Sequence, residues 1–220
     1  MHPPATERRL PAKDRREQIL EVAARLFSHQ GFSGTRTREI ADAAGVNEAI
    51  IFRHFPKKEE LYWAVIENLV AQAQKRPQLK DRLNPDSDDR QVLTDLAAEI
   101  LQRHMTDYSL TRLLIYSGLE QHELSERFFK TYVADFFDFM AEHIRRRIKA
   151  GIYREVDPLL AARSFWAMVA YHSMIQELFG GKRYQIFDPK KVAATVVDLW
   201  LAGVRVPGAC KESEGKRKRS

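Results

Sequence analysis

Between Thr37 and Lys58 the chain sets out one hydroxyl and several cations in a pattern suited to holding phosphate, not to breaking bonds. Arg38, Arg53, His54, Lys57 and Lys58 cluster there beside Thr37. Cationic side chains and helix amino termini are what phosphate oxygens select. Catalytic patterns are missing by comparison. His122-Glu123 lacks the second histidine one helical turn on that zinc hydrolysis requires, and no G-x-S-x-G turn occurs. No phosphate-cradling glycine loop occurs either, and Gly180-Gly181 reads as a helix stop. An enzyme is therefore not expected, and no catalytic residue, cofactor or metal site is assigned.

The elements that must position these groups lie in "TRTREIADAAGVNEAIIFRHF", residues 35–55. Thr37 is expected to cap a short helix through Ile40, Ala41 and Ala44, with Glu39 in its first turn, where the helix dipole favours an anion. Gly45 supplies a positive φ and Val46 plugs the corner. Asn47 caps a second helix whose inward face is Ile51 and Phe55, while the small Ala41 lets the two helices cross closely. Two short helices with this corner form a helix-turn-helix, which also occurs as plain packing but otherwise lays its second helix in the DNA major groove.

Helical spacing of apolar residues continues along the chain. Ile19, Val22, Ala23, Leu26 and Phe27 give a helix from Lys13 to Gln30 ended by Gly31, and Leu61, Val65, Ile66, Leu69 and Val70 give another. After the polar connection at "NPDSDDR" the pattern resumes at Val92, Leu96 and Ile100. Phe129, Tyr132, Val133, Phe136, Phe137, Met140 and Ile144 are expected on one long face stopped near Gly151. Pro158 and Pro189 sit where first-turn prolines open helices. No strand alternation appears, so the expected class is all-α: an N-terminal three-helix domain, then a larger helical one, about nine helices in all. The divisions are a disordered tail at 1–12, the helix-turn-helix domain at 13–57, a connecting helix at 58–76, the larger domain at 77–206 and a basic disordered tail at 207–220.

Composition sets outer limits. A chain of 220 residues with 44% hydrophobic and 30% charged residues is that of an ordinary globular protein. The formal charge of +6 is not a nucleic-acid signature by itself, because half of the surplus sits in the final ten residues, "KESEGKRKRS". The single cysteine, Cys210, rules out an intrachain disulfide and points to a reducing compartment. With neither a signal-peptide core nor a long apolar run, a cytoplasmic protein with no membrane partner is expected.

"ILEVAARLFSHQGF", "REIADAAGV", the aromatic-x-His-Phe of "FRHF" and "KKEEL", in this order over about fifty residues, resemble the DNA-binding domain of the tetracycline-repressor (TetR) family of transcription regulators. The resemblance implies that Thr37 holds a phosphate and that Arg38 beside it reaches a base edge. Asn47 and Glu48 begin the recognition helix, and Ala49 matches the small residue that lets this helix approach the groove. Arg53 lies on its outward face, while His54 and Lys58 grip the backbone. Two positions depart from the family pattern, which often has a hydroxyl residue at Ile50 and a tyrosine at Phe52. Ile50 either meets thymine methyls in the groove or packs, and Phe52 is expected to fill core.

The family also implies a homodimer on a palindromic double-stranded operator, released by a small-molecule effector, with repression its more frequent outcome. Phe165, Val169, Val196 and Trp200 on the last two helices are candidates for the dimer interface or for the monomer's own core. His104, Tyr108, Tyr116, Phe129, Tyr132, Phe136, Trp166, Tyr171 and His172 are candidates to line an apolar effector pocket between the central helices; an aromatic at such a position is more often plain core than pocket wall. His104, His172 and Gln176 would supply polar contacts there or be satisfied by backbone. The alternative function is a helical protein-interaction adaptor without DNA binding, separable by the steep salt dependence of a DNA reader.

Overall fold

Ile19, Leu20, Ala23 and Phe27 recur on one side of a helix and all are buried, which fixes the face that the first element turns inward. The computed structural model describes residues 11–73, 83, 87–120 and 123–207. The expected tails at 1–12 and 207–220 therefore fall almost wholly outside the described residues. So do Cys210, His122, the end of the connecting helix beyond Ala73 and the start of the polar connection at Asn84.

The helices are α1 (Ala12–Gly34), α2 (Thr37–Ala43), α3 (Glu48–His54), α4 (Lys58–Ala73), α5 (Asp89–Thr106), α6 (Ser109–Leu119) and α7 (Glu123–Phe128). A π-helical turn (Phe129–Val133) leads into α8 (Ala134–Lys149), followed by α9 (Pro158–Glu177), a 3₁₀ turn (Gly181–Arg183) and α10 (Pro189–Val204). Counting the continuous run from Glu123 to Lys149 as one gives nine helices among the described residues, with no strand, only an isolated bridge between Tyr153 and Arg205. The fold is all-α. No described helix is long and apolar enough to cross a membrane.

Chain contacts divide the protein into two compact units, one drawn from residues 1–76 and 109–126, the other from 77–108 and 127–220. In the first, α1 packs against α2, α4 and α6, and α2 against α3. Phe27, Phe32 and Tyr62 form an aromatic cluster with centroids 4.8–6.2 Å apart, and the Tyr62 hydroxyl donates to the Leu113 carbonyl at 2.8 Å. Burial raises the Tyr62 pKa, so this hydroxyl stays a donor. Helix α6 falls within the 77–206 span of the sequence reading, yet its packing partners are α1 and α4.

Three local expectations are corrected here. At Gly31 (φ 76°, ψ 179°) the backbone leaves the helix as expected, but it resumes for one more turn to Gly34 instead of ending. The cap of α2 is Arg36, not Thr37: the Arg36 N–H donates to the Glu39 carboxylate at 3.0 Å, and Thr37 is the first helical residue. The single long face at 129–144 is interrupted, because the i→i+5 turn at 129–133 advances the register. Phe129 is exposed while Phe137, Met140 and Ile144 are buried.

In the second unit α10 packs on α5 and α9, and α9 on α8 and α5. Phe165 and Trp200 meet edge to face at 5.6 Å, and the Trp200 indole N–H donates to the Ala161 carbonyl at 3.0 Å. The prolines act as expected, each at the first turn behind an aspartate cap, Asp157 for α9 and Asp188 for α10. The Asp89 carboxylate is buried at the start of α5. It accepts from Arg147 at 2.7 and 2.9 Å and from the Tyr153 hydroxyl at 2.6 Å, and lies 3.0 Å from His143 Nε2. A buried charge persists when it is paired and hydrogen-bonded in this way. Burial raises the carboxyl pKa, but the bonds from His143, Arg147 and Tyr153 outweigh it and bring the value down to about 2.

Candidate nucleic-acid interface

The corner between α2 and α3 is built as its residue types require. Gly45 has φ 63°, the Ala44 N–H donates to Ile40 O at 2.9 Å and the Val46 N–H to Ala41 O at 3.0 Å. The Asn47 side chain then accepts from the Ile50 N–H at 3.1 Å and starts α3. Ile40, Ala41, Ala44, Ile51 and Phe55 are buried beneath the corner. With Ile51 and Phe55 inward, the opposite side of α3 faces away from its own core.

That outward side carries Ala49, Phe52 and Arg53, all exposed, with Ile50 half-buried. Phe52 is 43% exposed, so the expectation that it fills core does not hold; Ile51 and Phe55 already occupy the inward positions. Arg38 on α2 and Lys57 before α4 are exposed cations, and His54 is half-buried. Thr37 and Glu48 are joined, the hydroxyl donating to the carboxylate across the corner. Lys58 is engaged by its own unit: its ammonium lies 4.2 Å from the centre of the Phe32 ring. Burial lowers its pKa, opposed by the charges of Glu120, Glu59 and Glu39.

Sequence reasoning missed Arg36, exposed at the cap of α2. The signal was present in Glu39, since a glutamate at the third helical position reaches back to the cap. It also missed α6. Arg112 Nε donates to Ser28 O at 2.7 Å, the Tyr116 hydroxyl to His29 O at 3.0 Å, and the Ser33 N–H to the Glu120 carboxylate at 3.2 Å. Tyr116, a pocket candidate by sequence, is thus a strut on the last turns of α1.

The second unit holds a cavity of about 130 Å³ between the carboxyl ends of α5 and α9 and the segment leading to α10. His104, His172 and Gln176 line it, together with Glu177, Lys182 and Phe187. Burial lowers the pKa of His104 to about 4, with the Arg103 charge adding to it, so this imidazole is neutral at pH 7; burial also lowers the pKa of His172. Tyr108 meets His104 edge-on at 5.2 Å without lining the cavity. Phe136 and Trp166 pack on each other at 5.4 Å, and Tyr132 lies against Phe128 at 5.3 Å. Phe129 and Tyr171 are exposed.

The four dimer candidates Phe165, Val169, Val196 and Trp200 are buried in the core of their own unit. The outward faces of the same two helices carry other apolar residues: Leu160, 64% exposed, Tyr171, 62%, and Leu199, 62%.

Residues 19–65 match the family described as bacterial regulatory proteins, tetR family, and residues 90–203 match the C-terminal domain of AefR-like transcriptional repressors. The HTH-type transcriptional regulator AcrR of Shigella flexneri is 36% identical over 99 residues, 44% of this chain and 44% of its own. The match therefore spans less than half the length of that curated relative. Among solved structures, AibR in complex with isovaleryl coenzyme A and operator DNA is 25% identical with a TM-score of 0.66, covering 84% of this chain and 97% of its own. NalD, the secondary repressor of the MexAB-OprM multidrug efflux pump in Pseudomonas aeruginosa, has a TM-score of 0.67 at 23% identity, covering 90% and 100%.

Proposed function

The chain belongs to the bacterial tetR family of regulatory proteins, and from that premise we propose that it is a ligand-responsive transcriptional repressor acting in the cytoplasm. It binds a palindromic operator as a homodimer and is released by a small, largely apolar molecule. The observation that carries this reading is the outward face of α3, where Ala49, Phe52 and Arg53 stand clear of a core filled by Ile51 and Phe55. A short capped helix with a small residue near its start and cations around it suits the major groove. Arg36, Arg38 and Lys57 flank it as exposed phosphate partners.

One recognition helix reads few base pairs, so a second copy is needed about one helical turn (~34 Å) away. Leu160, Tyr171 and Leu199 are the surface on which that copy packs, a set of apolar side chains otherwise costly to leave in water. The effector occupies the cavity between α5 and α9. It releases DNA by binding more tightly to the dimer geometry in which the two recognition helices do not fit one operator, and by no more than that difference in affinity. AibR is seen with both operator DNA and a ligand, which supports carrying the two sites together.

Selection of bound duplexes from a random pool tests the reading. Enrichment of a palindrome with half-sites one helical turn apart is the expected result; a pool no different from its input after repeated rounds would sink it.

A further inference from the structure

Among the described residues the Glu177 carboxylate is the one acidic group lining the cavity, and its side chain is only 9% exposed. Its cationic partner is Lys182 from the 3₁₀ turn, Nζ to oxygen 2.5 Å, a side chain that is itself 53% exposed. The pair is lopsided: the negative end is fixed in the wall, while the positive end sits on a flexible stem that can return to water at little cost.

Other features of the wall have the same sign preference. The cavity lies at the carboxyl ends of α5 and α9, where unsatisfied carbonyls leave about half a negative elementary charge on each helix and favour cations. Burial disfavours the charged forms of His104 and His172, so neither places a fixed positive charge against an entering cation. The Phe187 ring stands edge to face with His172 at 5.5 Å and offers an aromatic π-system to a cation. An entering anion would meet Glu177 and find only Lys182, whose withdrawal would leave the Glu177 carboxylate buried and unpaired. The space, about 130 Å³, compares with an engineered protein cavity of about 150 Å³ that binds benzene.

We infer that this cavity takes an organic monocation with a benzene-sized apolar body, whose ammonium replaces Lys182 on Glu177 while the body rests against Leu101, Met105, Ile186 and Phe187. The inference deepens the effector reading and rests on it for its regulatory meaning. Lys182 is then an internal stand-in for the ligand's charge, a cation that holds the carboxylate until the effector arrives.

Isothermal titration of the full chain, without DNA, with benzylammonium chloride, benzyl alcohol and sodium benzoate at neutral pH tests it. Benzylammonium is expected to bind at least tenfold more tightly than benzyl alcohol, and benzoate more weakly than either. Glu177→Gln brings benzylammonium down to the level of benzyl alcohol. Lys182→Ala tightens benzylammonium at least threefold, because the competing internal cation is gone, and this exposed position keeps the test decisive if Glu177→Gln does not fold. Benzoate binding as tightly as benzylammonium, weaker benzylammonium binding by Lys182→Ala, or no binding of any of the three overturns the inference. A second arm titrates a selected operator duplex with and without saturating benzylammonium. If the cation binds in the stated order but leaves duplex affinity unchanged, the cation site stands and the effector reading falls; if the duplex binds and the cation does not, the cation site falls alone.

Discussion

The Thr37 hydroxyl donates to the Glu48 carboxylate, joining the first residue of α2 to the first residue of α3 across the corner. The two amino termini that would face a phosphate backbone are thereby locked to each other. Thr37→Val is expected to cost about 1 kcal/mol of stability, the net worth of one hydrogen bond. It should also weaken operator binding several-fold through loss of alignment, as read by denaturant unfolding beside fluorescence anisotropy on a selected duplex.

Arg53 is exposed on α3 and has no role in the core. Arg53→Ala should leave the unfolding midpoint unchanged within about 0.5 kcal/mol. If its guanidinium neutralises one phosphate, the slope of log affinity against log salt becomes shallower by about 0.9. An unchanged slope with lost sequence preference would assign Arg53 to a base edge instead.

Two positive-φ glycines separate strain from crowding. A Cβ at Gly45 meets nothing within 4 Å, so Gly45→Ala should cost only the left-handed backbone penalty, about 1–2 kcal/mol. A Cβ at Gly31 comes within 2.5 Å of Glu120 and 3.0 Å of Tyr116, in a φ/ψ region reserved for glycine. Gly31→Ala should therefore lose clearly more than Gly45→Ala in urea titrations, and equal losses would overturn this ordering.

Asp89 should dominate the acid stability of the second unit. Its folded pKa of about 2 lies below the ordinary 3.8, so its contribution is complete above about pH 4 and is lost as pH falls toward 2, about 2 kcal/mol in all. Asp89→Asn leaves Arg147 buried without its counter-charge and should cost on the order of 3–5 kcal/mol at neutral pH. It should also flatten the stability profile between pH 4 and 2, measured by thermal unfolding across that range.

The outward apolar faces of α9 and α10 predict the oligomeric state. Leu199→Glu should convert a dimer to monomers in sedimentation while leaving the fold intact, because its side chain lies outside the monomer core. Phe165→Ala should instead destabilise the subunit by about 3–5 kcal/mol, as large-to-small changes in packed cores do.

What the sequence determined by itself was whatever is encoded locally. Gly45 can be read as a corner because few residues tolerate its φ; Asn47 can be read as a cap because its side chain bonds to an amide three residues on; Pro158 and Pro189 can be read as helix openers because a first-turn residue has no N–H bond to lose; Ile51 and Phe55 can be read as inward because four residues make about one helical turn. Those rules were enough for the all-α class and the helix-turn-helix. Contacts between residues far apart in the chain decided the rest. That α6 grips α1 depends on Arg112, Tyr116 and Glu120 finding Ser28, His29 and Ser33 more than eighty positions away, and no periodicity encodes such a meeting. Trp200 and Leu199 are neighbours with large, mainly apolar side chains, yet one is core and the other surface. Apolar content gives the amount of burial a helix needs, while its rotation against α5 and α9 chooses which residues receive it. The pairing of Glu177 with Lys182 lay between, five residues apart in sequence, but only the meeting of α5, α9 and the segment leading to α10 forms the cavity that makes its charge consequential.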